Sequence, residues 1–449
     1  MKIEIGIPTN FIPERQYAIK VLFDTLLGID YEVIPRVGIK DYIIRVSEEK
    51  KLIIQDHFFS TLNEAEGYLD KKYLPTQALL SNYENNLPEA VIIFGTNYFA
   101  QTEENTVLGL DVFASGFFML SRWEEAVLDD SDTHQRFPHQ QAFAYQKNFL
   151  HRPVVNEYAE LLRKVLLLSG YQGEFNNQEF KLIPTHDVDH IRYWKTAQQM
   201  KRQVGGDVLK RNNPFLAFKT YKEYQKVSKG IIKDPYDTFD FLMIKSEEAG
   251  LQSHFYFIAG GKTEHEGNYD IRSKEVKKLI QEIKSRGHII GIHPSYDTYL
   301  DVEMLKSEMR IIEEIAGQQI EEGRQHYLRF AVPETWQNWE DAGLKVDSSM
   351  NFAGYEGYRC GIGSEFPVFN VKTRKELKLI ERPLILMDAN PLIHQFDNIN
   401  KTYPELITYF IEQARKHKMP FTVLFHNSVF AMYKRFRLED VYNDLFRKI

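Results

Sequence analysis

The sequence predicts an α/β protein in two parts: a C-terminal parallel α/β barrel or sheet, preceded by a smaller α/β domain. Three observations carry this. From Asp237 onward, short apolar runs alternate with segments of helical spacing, the pattern of strand–helix–strand units. At 449 residues the chain exceeds one small core and fits about two domains. A turn-rich stretch at 169–177 marks the boundary, which divides the chain into 1–175 and 176–449.

The elements follow in order. In the first part, residues 2–7, 31–35 and 51–54 read as strands, 16–27 as a helix, and 89–95 as a stronger strand ending in Gly95. Residues 110–125 read as a mostly buried helix whose Arg/Glu-rich end is a salt-bridge cluster gripping the following loop or, alternatively, a site. Residues 132–138 read as a loop, and 153–168 as a helix with Pro153 at its start. In the second part, the apolar run 180–184 is a strand. Between 191 and 236 lies a helical insertion rich in Lys and Arg, which reads as a solvated face or as a cationic surface for a phosphorylated or lipid-phosphate substrate. After it come a helix at 239–250, a strand at 253–259, a helix at 273–286 stopped by Gly287, a strand at 288–293 and a helix at 302–316. A strand end at 327–330, a helix at 336–343, a strand within 378–387, a helix at 405–417 and a strand at 421–426 complete the pattern.

Composition narrows the function classes. A net charge of −7 argues against general nucleic-acid binding. One cysteine, Cys360, excludes an intramolecular disulfide and reads as a packed thiol. No run approaches the roughly 20 apolar residues of a membrane span, and residues 1–8 lack the pattern of a secretory signal. The expected location is the cytoplasm.

Two stretches carry the chemistry. Thr185-His186-Asp187-Val188-Asp189-His190 places two carboxylates at a strand end, where like charges need a metal, a cation or a shared proton, unless they are helix N-caps. About a hundred residues later comes His288-Ile289-Ile290-Gly291-Ile292-His293-Pro294-Ser295-Tyr296-Asp297. Asp187, His293, Arg329 and His426 all fall at or just past predicted strand ends, where parallel barrels build their sites.

Together these stretches resemble the polysaccharide deacetylase superfamily, the NodB-type carbohydrate esterases, over about residues 180–449. The resemblance implies an irregular (β/α) barrel and a metal-dependent hydrolase removing acetyl from an N-acetylated sugar of a polysaccharide or glycan precursor. It makes Asp187 the general base and Asp189 and His293 metal ligands. Asp297 stands where the family has its second metal histidine, so it becomes a third ligand or, alternatively, a helix N-cap. The metal implied is zinc, with cobalt or nickel as alternatives. Leu328-Arg329-Phe330-Ala331-Val332-Pro333 resembles the motif whose Arg steadies the base, although its Arg-to-Pro spacing is longer. Val423-Leu424-Phe425-His426 resembles the last motif, making His426 the general acid, with Asp388 as the group that orients it or a turn aspartate. Trp336, Trp339 and Tyr296 are core residues or platforms for a sugar ring. Residues 1–175 are similar to an uncharacterised domain that precedes deacetylase-like domains. Two other readings stay open: a metal-free, allantoinase-like amide hydrolase, and a non-catalytic carbohydrate-binding protein on the same fold.

Overall fold

The computed structural model describes residues 2–449 except 84–85, 268 and 395–398. Its strands are β1 (Ile3–Ile7), β2 (Tyr31–Pro35), β3 (Tyr42–Arg45), β4 (Lys51–Ile54), β5 (Leu79–Leu80), β6 (Val91–Ile92), β7 (Gly95–Gln101) and β8 (Asn105–Leu110) in the first part. The second part holds β9 (Lys181–Val188), β10 (His254–Phe257), β11 (Ile289–Ile292), β12 (Glu322–Gly323), β13 (Val346–Asp347), β14 (Phe366–Asn370), β15 (Lys375–Glu381), β16 (Leu386–Met387) and β17 (Pro420–Leu424).

The first part is built on a six-stranded mixed sheet in the order β2-β1-β3-β4-β8-β7. The expected helix at 16–27 is an α-helix, Ile12–Lys20, that runs into a π-helix, Val21–Leu26. The expected strand at 89–95 shrinks to β6, and pairing shifts to the β7–β8 hairpin. Helix Val112–Ser121 is buried along its whole length. It breaks at Arg122, whose φ of 52° redirects the chain into the short helix Trp123–Val127. That break serves an ion-pair network: Arg122 bonds Glu124 and Glu125, Glu125 also bonds Arg359, and Glu124 Oε2 accepts from the Phe143 N–H. The Arg/Glu-rich end thus forms ion pairs, as its composition predicts, and it grips the start of the next α-helix at Phe143 and the distant Arg359.

The second part is a nine-stranded sheet in the order β14-β15-β13-β12-β11-β10-β9-β17-β16. From β15 to β16 every pairing is parallel, and β14 adds an antiparallel edge. Helices supply the crossovers. Lys274–Ser285 is capped by the Ser273 side chain and buries Val276, Ile280 and Ile283 at helical spacing. Val302–Ala316 is capped by Asp301 and ends at Gly317, whose φ of 64° suits glycine. Among the described residues no ladder joins β16 back to β14 or β15. The parallel α/β sheet stands, and the expected barrel extends no further than this strand order. The residues between β15 and β16 bond to strands on either side instead: the Arg382 N–H donates to the Asp347 carbonyl of β13 at 2.7 Å and the Ile385 N–H to the Thr422 carbonyl of β17 at 3.1 Å.

The apolar core is continuous across both parts. Tyr17 donates to the Pro367 carbonyl at 2.8 Å, and Arg374 pairs with Glu14. Trp336 and Trp339 are fully buried, which places them in this core and removes them as sugar platforms. Cys360 is buried as well.

Candidate metal and catalytic site

Strand alternation builds the first half of the site. Side chains two apart on a strand share a face. Thr185, Asp187 and Asp189 point one way, and His186 the other, where its Nδ1–H donates to the Phe425 carbonyl at 2.7 Å. β9 is central, between β10 and β17, so this face is walled by neighbouring strand ends. The two carboxylates are separated by different partners. Asp187 Oδ1 accepts from Arg324 Nη1 at 2.8 Å, and both side chains are almost wholly buried. The same guanidinium donates to the Ser348 carbonyl at 2.7 Å and to Ser348 Oγ at 2.9 Å, and it stacks over Tyr256. Its plane is thus fixed from three sides.

Asp189 meets histidines. Its Oδ1 lies 3.3 Å from His293 Nε2 and 3.6 Å from His326 Nε2, and its Oδ2 lies 3.6 Å from His426 Nε2. One ligand atom each from Asp189, His293 and His326 fall within 4.8 Å of one another. His293 Nδ1 sits 2.6 Å from the Arg324 carbonyl, so that nitrogen carries the proton and donates. Its Nε2 lone pair then faces the Asp189 carboxylate. Two acceptors face to face require a cation between them. In the free chain this can be a second ring proton. Burial opposes protonation of His293, but Asp187 and Asp189 outweigh it and raise its pKa. His326 cannot supply that charge, because burial and the neighbouring His293 push it down to about 3. Asp189 Oδ1 and His326 Nδ1 are buried and find no hydrogen-bond partner among the described residues. A neutral His326 imidazole, a carboxylate held far below its ordinary pKa, an unsatisfied buried oxygen and a His293 Nε2 whose proton a metal can replace are what a divalent ion needs.

His426 stands opposite, two residues past β17. Its Nδ1 is 2.9 Å from Asp388 Oδ1, and Asp388 Oδ2 accepts from the His426 backbone N–H at 2.7 Å. Asp388 is fully buried and follows β16 directly. Burial opposes charging of His426. The carboxylates of Asp388, Asp189 and Asp187 outweigh this and raise its pKa to about 10.

Asp187, Asp189, His293, His426 and Asp388 therefore converge, whereas Asp297 and Arg329 lie elsewhere. Residues 293–297 do not form a helical turn, so a position four residues on does not share the His293 face. Asp297 instead accepts from Arg329 Nη1 at 2.8 Å with its side chain half exposed. It precedes the short helix Thr298–Leu300 without capping it through its side chain. Arg329 lies 4.1 Å from the rings of both Tyr296 and Tyr299 and donates to the His134 carbonyl. The strand expected at 327–330 is absent. The strand here is the two-residue β12, which ends at Gly323, so Arg324 and not Arg329 occupies the strand-end position facing Asp187. His326 follows in a helical turn in which Tyr327 takes a φ of 61°. Neither Arg324 nor His326 emerges from the sequence reading. A two-residue strand carries no periodic pattern, and the only available signal is the Arg-Gln-His cluster itself.

The first part of the chain rims this site. Arg136 Nη1 donates to the Tyr327 carbonyl at 2.9 Å, and His134 Nδ1 lies 3.0 Å from the Tyr296 hydroxyl. The loop at 132–136 thus braces the segments that carry His293 and His326.

A family model of unknown function, DUF7033, matches residues 3–170, less than half of the chain. No curated protein matches. Among solved structures, a candidate polysaccharide deacetylase from Mycobacterium smegmatis is 14% identical, with a TM-score of 0.35, covering 59% of this chain and 85% of that one. A mutant of a CE4 family pseudoenzyme with restored enzymatic activity is 10% identical, with a TM-score of 0.27, covering 59% of this chain and 64% of that one.

Proposed function

We propose that this chain is a divalent-metal-dependent hydrolase that removes acetyl from an N-acetylated sugar. One observation carries the reading: three ligand atoms from Asp189, His293 and His326 gather beside a carboxylate steadied by Arg324 and an imidazole steadied by Asp388. Asp189, His293 and His326 would hold the ion, and their nitrogen and oxygen donors suit zinc, with cobalt or nickel as alternatives. When bound, such an ion lowers the pKa of water and polarises a carbonyl.

The chain's own groups do the rest. Asp187 takes the proton of the attacking water. Arg324 engages its Oδ1, and its Oδ2 remains 3.8 Å from His293 Nε2, on the side of the ligand cluster. His426 protonates the departing amine from Nε2, while Nδ1–H stays bonded to Asp388. Its raised pKa keeps it a loaded acid at neutral pH. The hydroxyl adds to the acyl carbon, the C–N bond breaks, and acetate and a free amino sugar leave.

The test is elemental analysis of wild type, His293→Ala and Asp187→Asn, alongside acetate release from a panel of N-acetylated oligosaccharides. The expected result is near-stoichiometric metal in wild type and Asp187→Asn, little in His293→Ala, and acetate release by wild type alone. Turnover by metal-stripped wild type favours the metal-free amidase. Full activity in Asp187→Asn removes it as the base.

A further inference from the structure

The Lys/Arg-rich insertion forms two antiparallel-connected helices, Ala197–Leu209 and Pro214–Ser228, joined by a short turn. Each is capped at its start, by Thr196 and by Asn213, and buried Asp207 ties them together through Arg211 and Thr220. The hairpin is therefore a built element. It shows solvent an unusual face. Leu209 is 85% exposed, Phe215 78% and Phe218 59%, and all three cluster at or near the turn. Phe215, Phe218 and Lys222 follow helical spacing along one stripe, with the Lys222 ammonium over the Phe218 ring. Just beyond the second helix, Ile231 is 66% exposed. An apolar tip of this size is rare on a soluble surface unless something covers it.

Charge identifies the cover. Residues 191–236 hold eleven Lys and Arg against three Asp and Glu, in a chain whose net charge is −7. Lys210, Lys219, Lys226 and Lys229 are exposed and form no ion pair among the described residues. A cavity of about 460 Å³ at the hairpin's base mixes Trp194 and Leu216 with Lys219 and Lys226. Exposed Phe and Leu set among lysines match the interface of an anionic lipid bilayer, which takes up both the apolar tips and the ammonium groups. Nucleic acid would leave the apolar tip uncovered.

We infer that the 197–228 hairpin docks this protein onto anionic membrane surfaces. Asn427, next to His426, pins both ends of the insertion: its Nδ2 donates to the His190 carbonyl at 2.7 Å and to the Tyr236 carbonyl at 2.8 Å. Docking therefore presents the candidate site to lipid-borne glycans, a consequence that rests on the function proposed above.

The experiment is co-sedimentation of the full chain with phosphatidylcholine vesicles, with and without phosphatidylglycerol, and it needs no catalytic activity. Binding should require phosphatidylglycerol and fall with salt. Phe215→Ser/Phe218→Ser and, separately, Lys219→Glu/Lys226→Glu should each lower the partition coefficient roughly tenfold or more, with unchanged circular dichroism. Wild type remaining in the supernatant overturns the inference, as does binding that neither double variant weakens. Light scattering is run in parallel: a wild-type dimer that Phe215→Ser/Phe218→Ser converts to monomer, without vesicle binding, assigns the face to a second copy instead.

Discussion

Replacing His326 should cost the protein its metal, whereas replacing Asp297 should not. The ligand atoms of Asp189, His293 and His326 lie within 4.8 Å of one another, while Asp297 gives its Oδ1 to Arg329 in a half-exposed pair. Structural zinc sites with four protein ligands bind with roughly 10–16 kcal/mol, or about 3 kcal/mol per ligand. Loss of one ligand of three should therefore weaken binding by roughly two orders of magnitude. Asp297 is bonded to Arg329 and lies outside the ligand cluster, so its loss should leave metal affinity unchanged. The assay is competition for zinc against a chromogenic chelator, using dialysed wild type, His326→Ala, His326→Gln and Asp297→Ala. Circular dichroism verifies that each variant folds. Weakened binding in Asp297→Ala together with full affinity in both His326 variants would refute the assignment and restore the ligand set expected from the sequence.

Two further outcomes follow from the same geometry. Asp388→Asn should lower kcat by roughly 10²–10⁴-fold with metal content intact. Because it removes the nearest anion from His426, whose pKa is raised to about 10, the alkaline limb of the kcat/KM profile should move to lower pH; an unmoved limb separates Asp388 from His426 function. Glu322 offers a test of stability. Burial opposes its ionisation, but His254 and Arg382 outweigh it and pull its pKa from 4.5 down to about 2. A depressed carboxylate pKa stabilises the fold above the unfolded value and loses that contribution as pH falls through the folded one. The shift corresponds to roughly 3 kcal/mol. Urea unfolding should show wild type more stable than Glu322→Gln by about that amount at pH 7, with the gap closing between about pH 4.5 and pH 2. A gap independent of pH contradicts the ion-pair account.

Sequence alone determined those parts of the site that regular elements carry. Asp187 and Asp189 lie two apart at the end of an apolar strand, and the two-residue period of a strand is enough to aim both at one place. His293 and His426 close equally legible apolar runs, and the glycine stop at Gly287 marked the helix that precedes the His293 strand. The buried Arg122–Glu125 network was legible as composition at a helix end, but its partner Arg359 was not, because the two lie far apart in the chain. Only the tertiary structure decided which groups complete the cluster. Arg324 and His326 sit between a two-residue strand and a turn with a left-handed tyrosine, where no periodicity reports side-chain direction. Their positions are set by Ser348, by the Arg136 contact to Tyr327, and by the pairing of β12 between β11 and β13. The family resemblance suggested Asp297 and Arg329. The missing helical turn after His293 and the early end of β12 carried both away from the centre and joined them to each other.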